Sequence, residues 1–154
     1  APFAFALERR PDAPLLTGFI DVLAEEPGGA MLVVDYKTDR LAPEDVPAEV
    51  VERAYGTQRL VYALAALRGG AERVEVAHCY LERPEEAASA TYTRAEAPAL
   101  GEALLGLAQG VMAEEFPVTE HPHRELCATC PGRRALCSHP EDRTLRPAAA
   151  ASPP

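Results

Sequence analysis

Asp21, Asp35 and Lys37 bring two acids and an amine onto what reads as one β-hairpin. Asp21 ends the run Gly18-Phe19-Ile20-Asp21, and Asp35 and Lys37 lie in Val33-Val34-Asp35-Tyr36-Lys37-Thr38. Strand side chains alternate between faces, so Asp35 and Lys37 point the same way. If the hairpin folds about Gly28, Asp21 lies opposite Asp35, because the two are equally far from that centre. Two charged carboxylates on facing strands repel each other. A divalent cation between them removes that penalty, and two carboxylates with waters and a substrate phosphate form a ligand set that Mg²⁺ accepts. A lysine two residues past one ligand can hold a water or a phosphate oxygen. The cation would lower the pKa of its bound water and stabilise charge on the phosphate in the transition state. The chemistry that suits these residue types is phosphodiester hydrolysis. Aspartate and lysine on strands are usually solvated, and D-x-K alone is common. What sets Asp35 apart is that it follows a wholly apolar strand, where an unpaired charge is costly.

The elements that must position these groups follow from pattern. Leu15 to Ala24 reads as a strand and Ala30 to Lys37 as a second, with Glu25-Glu26-Pro27-Gly28-Gly29 as the turn between them. Leu41 to Pro47 is a polar connector. A helix is predicted from about Ala48 to Leu67, where Val50, Ala54, Thr57, Val61 and Leu64 recur at three- and four-residue steps as its core face. Gly69-Gly70 ends it. Arg73 to Leu81 alternates as a third strand, and Ala90 to Thr93 is a fourth. Thr93-Arg94-Ala95-Glu96 has capping-box spacing and opens a second helix to about Glu115, with Pro98 in its early turns. The order β-β-α-β-β-α gives an α/β domain (α+β by some schemes) with a mixed central β-sheet flanked by helices. We expect one domain over residues 1–146, with a Cys-containing loop at 116–140, and a disordered Ala/Pro/Ser-rich tail at 147–154.

These motifs resemble the PD-(D/E)xK nuclease superfamily, specifically the nuclease domains of RecB and AddAB helicase-nucleases. The resemblance is carried by T-G-F-I-D and V-V-D-Y-K-T-D-R, by the apolar opening Ala1 to Glu8, and by the helical pattern Tyr55-x-x-Gln58-x-x-x-Tyr62. It covers roughly Phe3 to Cys137. It implies a restriction-endonuclease-like core and a DNA nuclease using Mg²⁺ or Mn²⁺. Asp21 and Asp35 are then metal ligands, the Tyr36 backbone carbonyl is a further one, and Lys37 is catalytic. RecB-type domains usually complete the metal site with a His or Glu from an upstream helix, and this sequence begins at Ala1. We therefore expect it to be the C-terminal part of a longer polypeptide. The implied partners are DNA, a helicase domain in the same polypeptide and a second helicase-nuclease subunit, with a role in DNA repair and recombination.

Tyr55, Gln58 and Tyr62 share one helical stripe, which lies beside the core face. From spacing alone, the plainer reading is two tyrosines at the core edge and an exposed glutamine. The resemblance makes them site-supporting or DNA-contacting. Arg53 and Arg59 on the same helix read as solvated charge. Cys127, Cys130 and Cys137 form C-x₂-C-x₆-C, a pattern that favours an iron–sulfur cluster or Zn²⁺ over chance. Related nucleases hold a [4Fe–4S] cluster with three such cysteines and a fourth from upstream of the nuclease core. We rank an incomplete or remnant cluster first. A zinc site closed by His121, His123 or His139 comes second, and free thiols third. Cys79, in an alternating strand, reads as an ordinary core thiol.

The 154 residues are 47% hydrophobic, enough for one core, and carry a net charge of −9. That charge counts against a free-standing nucleic-acid binder, which normally has a basic footprint. No apolar run is long enough for a membrane span and no secretory leader is apparent, so no membrane role and a reducing, cytoplasmic setting are expected. A non-catalytic nuclease-fold domain that engages DNA or a partner is the competing reading.

Overall fold

The computed structural model describes residues 1–11 and 13–148. The chain divides into two compact units, residues 1–112 and 113–154.

The first unit opens with an antiparallel pair, β1 (Pro2–Ala6) and β2 (Leu15–Phe19). Four strands make a second sheet in the order β3-β4-β5-β6: β3 (Val22–Glu26), β4 (Ala30–Lys37), β5 (Arg73–Tyr80) and β6 (Ala88–Thr93). β3 and β4 form the expected hairpin with Val22 opposite Val34, which continues the pairing centred on Gly28. Gly28 and Gly29 both take positive φ, 75° and 74°, which side-chain-bearing residues rarely adopt. β4 and β5 are parallel, with Asp35 beside His78 and Lys37 beside Tyr80, and β6 returns antiparallel. The sheet is therefore mixed. Parallel neighbours need a crossover, and α1 (Pro47–Arg68) supplies it.

Alternation sends Val33, Asp35 and Lys37 of β4 and Val74, Val76, His78 and Tyr80 of β5 to one buried face. There Val33, Val74 and Val76 join Leu64, Leu67, Leu100 and Leu104 in the main core. Each such side chain contributes about 1.5–3 kcal/mol on burial. The last two belong to α2 (Ala97–Met112), which packs on α1. The capping box forms as expected: Thr93 N–H and Oγ1 both reach Glu96 Oε2, at 2.8 and 2.7 Å. It opens a short 3₁₀ turn ahead of α2, which stops at Met112 rather than near Glu115.

Two expectations need correction. The single strand over 15–24 is two strands. The chain breaks at Ile20-Asp21, so β2 pairs with β1 and only β3 with β4. A continuous apolar run gave no signal of this bend, which places Asp21 at the strand junction. The core face of α1 is also rotated from the apolar periodicity. Ala54 and Thr57 are exposed, whereas Val51, Tyr62, Ala63, Ala66 and Leu67 are buried and Tyr55 and Gln58 half-buried. The polar stripe thus belongs to the inward side, because its tips satisfy charges buried on β4.

The second unit holds two single-turn helices, α3 (Arg124–Cys127) and α4 (Glu141–Thr144). Arg124 N–H donates to the Arg146 carbonyl, 2.8 Å, and Arg146 Nε to the Pro122 carbonyl, 3.0 Å, which closes the stretch between them into a loop. The last six residues of the expected disordered tail, 149–154, lie outside the described residues. Among the described residues, no helix is long and apolar enough to cross a membrane.

Candidate active site

β4 ends with Asp35 and Lys37 facing α1, and both are buried, with 4% and 8% of their surface exposed. Burying two charges costs several kcal/mol per ion unless they are paired and hydrogen-bonded. Here they are. Lys37 Nζ lies 2.6 Å from Asp35 Oδ2 and donates to Gln58 Oε1 at 2.7 Å. Gln58 Nε2 donates to the Tyr62 hydroxyl at 2.9 Å. The Tyr62 hydroxyl in turn lies 3.0 Å from both Asp35 Oδ1 and the Phe19 carbonyl, which share its one proton. Asp35, Lys37, Gln58 and Tyr62 thus close a ring of polar contacts between β4 and α1. Burial, then the Asp35 charge, pushes the Tyr62 hydroxyl up to about 12, so it remains a donor at neutral pH.

Asp21 sits at the bend between β2 and β3, exposed, and its Oδ2 accepts from the Tyr36 backbone N–H at 3.0 Å. Both the Asp21 and the Asp35 charges act on the Tyr62 hydroxyl. A groove of about 720 Å³, lined by Phe3, Phe5, Leu23, Met31 and Ala65 among others, includes neither aspartate nor Lys37. The chemistry-bearing group therefore lies at the strand end, outside that groove.

Through Tyr55, which the motifs had singled out, the structure also brings in Asp39 and His78, which they had not. The Tyr55 ring centroid lies 3.6 Å from Lys37 Nζ, and its hydroxyl donates to Asp39 Oδ2 at 2.5 Å. That bond, then burial, pushes the hydroxyl up to about 12. Tyr55 also stacks on His78, with centroids 5.9 Å apart. His78 is fully buried, and neither ring nitrogen has a hydrogen-bond partner among the described residues. Burial pushes it down to about 4, against the pull of Asp35, so it is neutral at pH 7. Strand alternation over Val74, Val76, His78 and Tyr80 could have flagged it. Asp39 stands at the end of the D-Y-K-T-D run, two residues beyond Lys37. Arg59 is tied up by Glu52 and by the Tyr92 hydroxyl rather than free for phosphate.

The donor set near β4 is all oxygen: two carboxylates and the Tyr36 carbonyl. Among the described residues, Asp35 Oδ2 receives no directed hydrogen bond and meets the Lys37 ammonium as an ion pair. Oxygen donors with an underused carboxylate oxygen fit a hard cation such as Mg²⁺ or Mn²⁺. Among the described residues, no three His, Cys, Asp or Glu side chains converge as a metal site. That applies to Cys127 (buried), Cys130 (exposed) and Cys137 (half-buried) as well. His139 has its ring nitrogen 2.6 Å from the Thr119 carbonyl, and its backbone N–H points at Cys137 Sγ, 3.4 Å.

The family model of the PD-(D/E)XK nuclease superfamily matches residues 2–137. The chain belongs to this superfamily. Its mixed sheet with packed helices is the restriction-endonuclease-like core that the motifs implied. Over 67 residues, 44% of the chain, it is 42% identical to an ATP-dependent helicase/nuclease subunit from Acetivibrio thermocellus. This agrees with the RecB/AddAB-type resemblance. The matched stretch is 5% of that relative, so the chain spans only a small part of its length. A solved structure, that of SSO0001, aligns over 69% of the chain and 48% of its own, at 16% identity and a TM-score of 0.40.

Proposed function

We propose that this chain is the nuclease domain of a helicase-nuclease and hydrolyses DNA phosphodiesters with a divalent cation, Mg²⁺ or Mn²⁺. The observation that carries this reading is the closed ring Asp35–Lys37–Gln58–Tyr62, buried at the strand end beside exposed Asp21. A buried ion pair is a weak source of stability. A buried charge pair held at a strand end, next to an exposed carboxylate, is better explained by chemistry.

Asp21, Asp35 and the Tyr36 carbonyl would hold the cation, which supplies an acidified water and charge stabilisation at the phosphate. The Tyr62 hydroxyl holds Asp35 through Oδ1 and leaves Oδ2 for the cation side. Gln58 and the Tyr55 ring hold the Lys37 ammonium as it turns from Asp35 toward a phosphate oxygen or the attacking water. The two aspartates and Lys37 carry one net negative charge together, so a bound divalent ion would make the site positive toward a phosphodiester. That local balance, rather than the chain's −9, decides whether phosphate is accepted.

Similarity to a protein named as an ATP-dependent helicase/nuclease subunit supports a helicase in the same polypeptide and a second subunit; the proposed work of such an assembly is on DNA in repair and recombination. In that parent, Cys127, Cys130 and Cys137 would hold a [4Fe–4S] cluster with a fourth ligand from outside this sequence, in the cytoplasm. The net charge favours the second reading, a non-catalytic nuclease-fold domain that engages DNA or a partner.

Cleavage of linear DNA with Mg²⁺, Mn²⁺ or chelator separates the two. Asp21→Ala, Asp35→Ala and Lys37→Ala should each lower metal-dependent cleavage by about 10²- to 10³-fold, measured below the Tm of each variant because the last two strand a buried charge or lose its partner. Undiminished cleavage in all three variants would overturn the assignment. No cleavage by the intact protein would favour the second reading.

A further inference from the structure

We propose that Asp39 is a positioning residue for Lys37, acting through the ring of Tyr55; this rests on the role given to Lys37 above. A lysine ammonium sits on a flexible four-carbon stem and has three donors. One is donated to Gln58 at 2.7 Å, and the charge is paired with Asp35 at 2.6 Å. The ammonium also lies 3.6 Å from the Tyr55 ring centroid, a cation–π contact. Such a contact holds the charge without offering an acceptor that must be given up when Lys37 turns toward substrate.

The ring must then be fixed, and it is gripped in two places. His78, fully buried on β5, stacks on it at 5.9 Å with 25° between the planes. Asp39 accepts the Tyr55 hydroxyl proton at 2.5 Å. Asp39 is itself exposed and belongs to no core cluster, so packing does not account for it. It follows Lys37 by two residues, so one short stretch of chain places both the ammonium and the carboxylate on the same tyrosine. A carboxylate on the phenol hydroxyl also makes the ring face more negative, which favours the ammonium.

The test uses two readouts. The first is the Lys37 CεH₂ proton resonance in the metal-free protein, which the Tyr55 ring face should shift upfield of an ordinary lysine. Tyr55→Leu should return it to the ordinary position. Asp39→Ala and Tyr55→Phe should each move it part of the way, the double variant no further, and Asp39→Asn, which keeps an acceptor, very little. The second readout is cleavage. Asp39→Ala and Tyr55→Phe should lower kcat about five- to tenfold with KM unchanged, and non-additively, while Asp39→Asn retains most activity. An unmoved Lys37 resonance in Asp39→Ala, where Tyr55→Leu does move it, overturns the proposal. So does Asp39→Asn losing cleavage as fully as Asp39→Ala, which would mark Asp39 as a metal ligand. If Asp35→Ala still cleaves, the nuclease assignment of this site fails instead, and the resonance still decides the link from Asp39 to Lys37.

Discussion

Lys37→Met is the most direct test of how the site is held together. Methionine nearly matches the length and volume of the lysine stem, so the substitution removes the charge and leaves little cavity. The two side chains are 9% and 6% exposed and 2.6 Å apart. At an effective dielectric of about 20, Coulomb's law gives an attraction of about 6 kcal/mol at that distance. Recovering the desolvation of the ammonium offsets part of this. Removing one partner of a buried pair usually leaves a net cost of about 3–5 kcal/mol, because the other charge stays buried and unpaired. Asp35 would keep only Tyr62 on Oδ1. A loss of about 3 kcal/mol lowers Tm by roughly 10 °C or more in a domain of this size. The assay is urea and thermal unfolding at neutral pH with chelator present. Most of the loss should return in Lys37→Met/Asp35→Asn, since the stranded charge is then gone. The loss should also persist at about 0.5 M salt, because buried pairs are poorly screened. A Lys37→Met protein within about 0.5 kcal/mol of wild type, or a double variant no more stable than the single one, would refute the argument that this pair is buried and mutually neutralising.

Two further outcomes follow from local geometry. A Cβ at Gly18 would lie 2.7 Å from the Phe3 ring, and that ring meets Tyr62 edge-on at 5.9 Å. Gly18→Ala should therefore cost about 1–3 kcal/mol in unfolding experiments and blunt cleavage through Tyr62; wild-type stability would show that Phe3 can yield freely. His78 titrates near 4 when folded against the ordinary 6.5, so the unfolded chain takes up the proton first as pH falls. Stability should drop between about pH 6.5 and 4, by on the order of 2–3 kcal/mol, with no contribution above that window. His78→Phe should flatten the slope there, and an unchanged slope would rule His78 out as its source.

Much of the site was legible because local rules placed it. The apolar run before Asp35, strand alternation and the glycine turn put Asp35 and Lys37 on one face and Asp21 one residue before the Val22–Val34 pair, where its carboxylate meets the Tyr36 N–H. The helix limits came within a residue at each end of α1, since Pro47 and Gly69 punctuate it. What was not legible depended on partners far away in the chain. Apolar periodicity turned Ala54 and Thr57 inward and left Tyr55, Gln58 and Tyr62 beside the core. The actual inward face of α1 is set by what β4 presents to it, and β4 presents an ammonium and a carboxylate. A glutamine scores as polar in any one-dimensional pattern. Opposite a buried Lys37 it is the cheaper residue to bury, because it accepts from the ammonium with one end and donates to Tyr62 with the other. For His78, alternation along β5 marks the burial but not the neighbour. Its place beside Asp35 comes from a parallel pairing between strands separated by the whole of α1, a register that no local signal encodes. Once charges are buried at the end of a strand, the elements packed on them are chosen for hydrogen-bonding reach as much as for hydrophobicity. That is why the stripe least like a core face in sequence is the one that closes over the candidate active site.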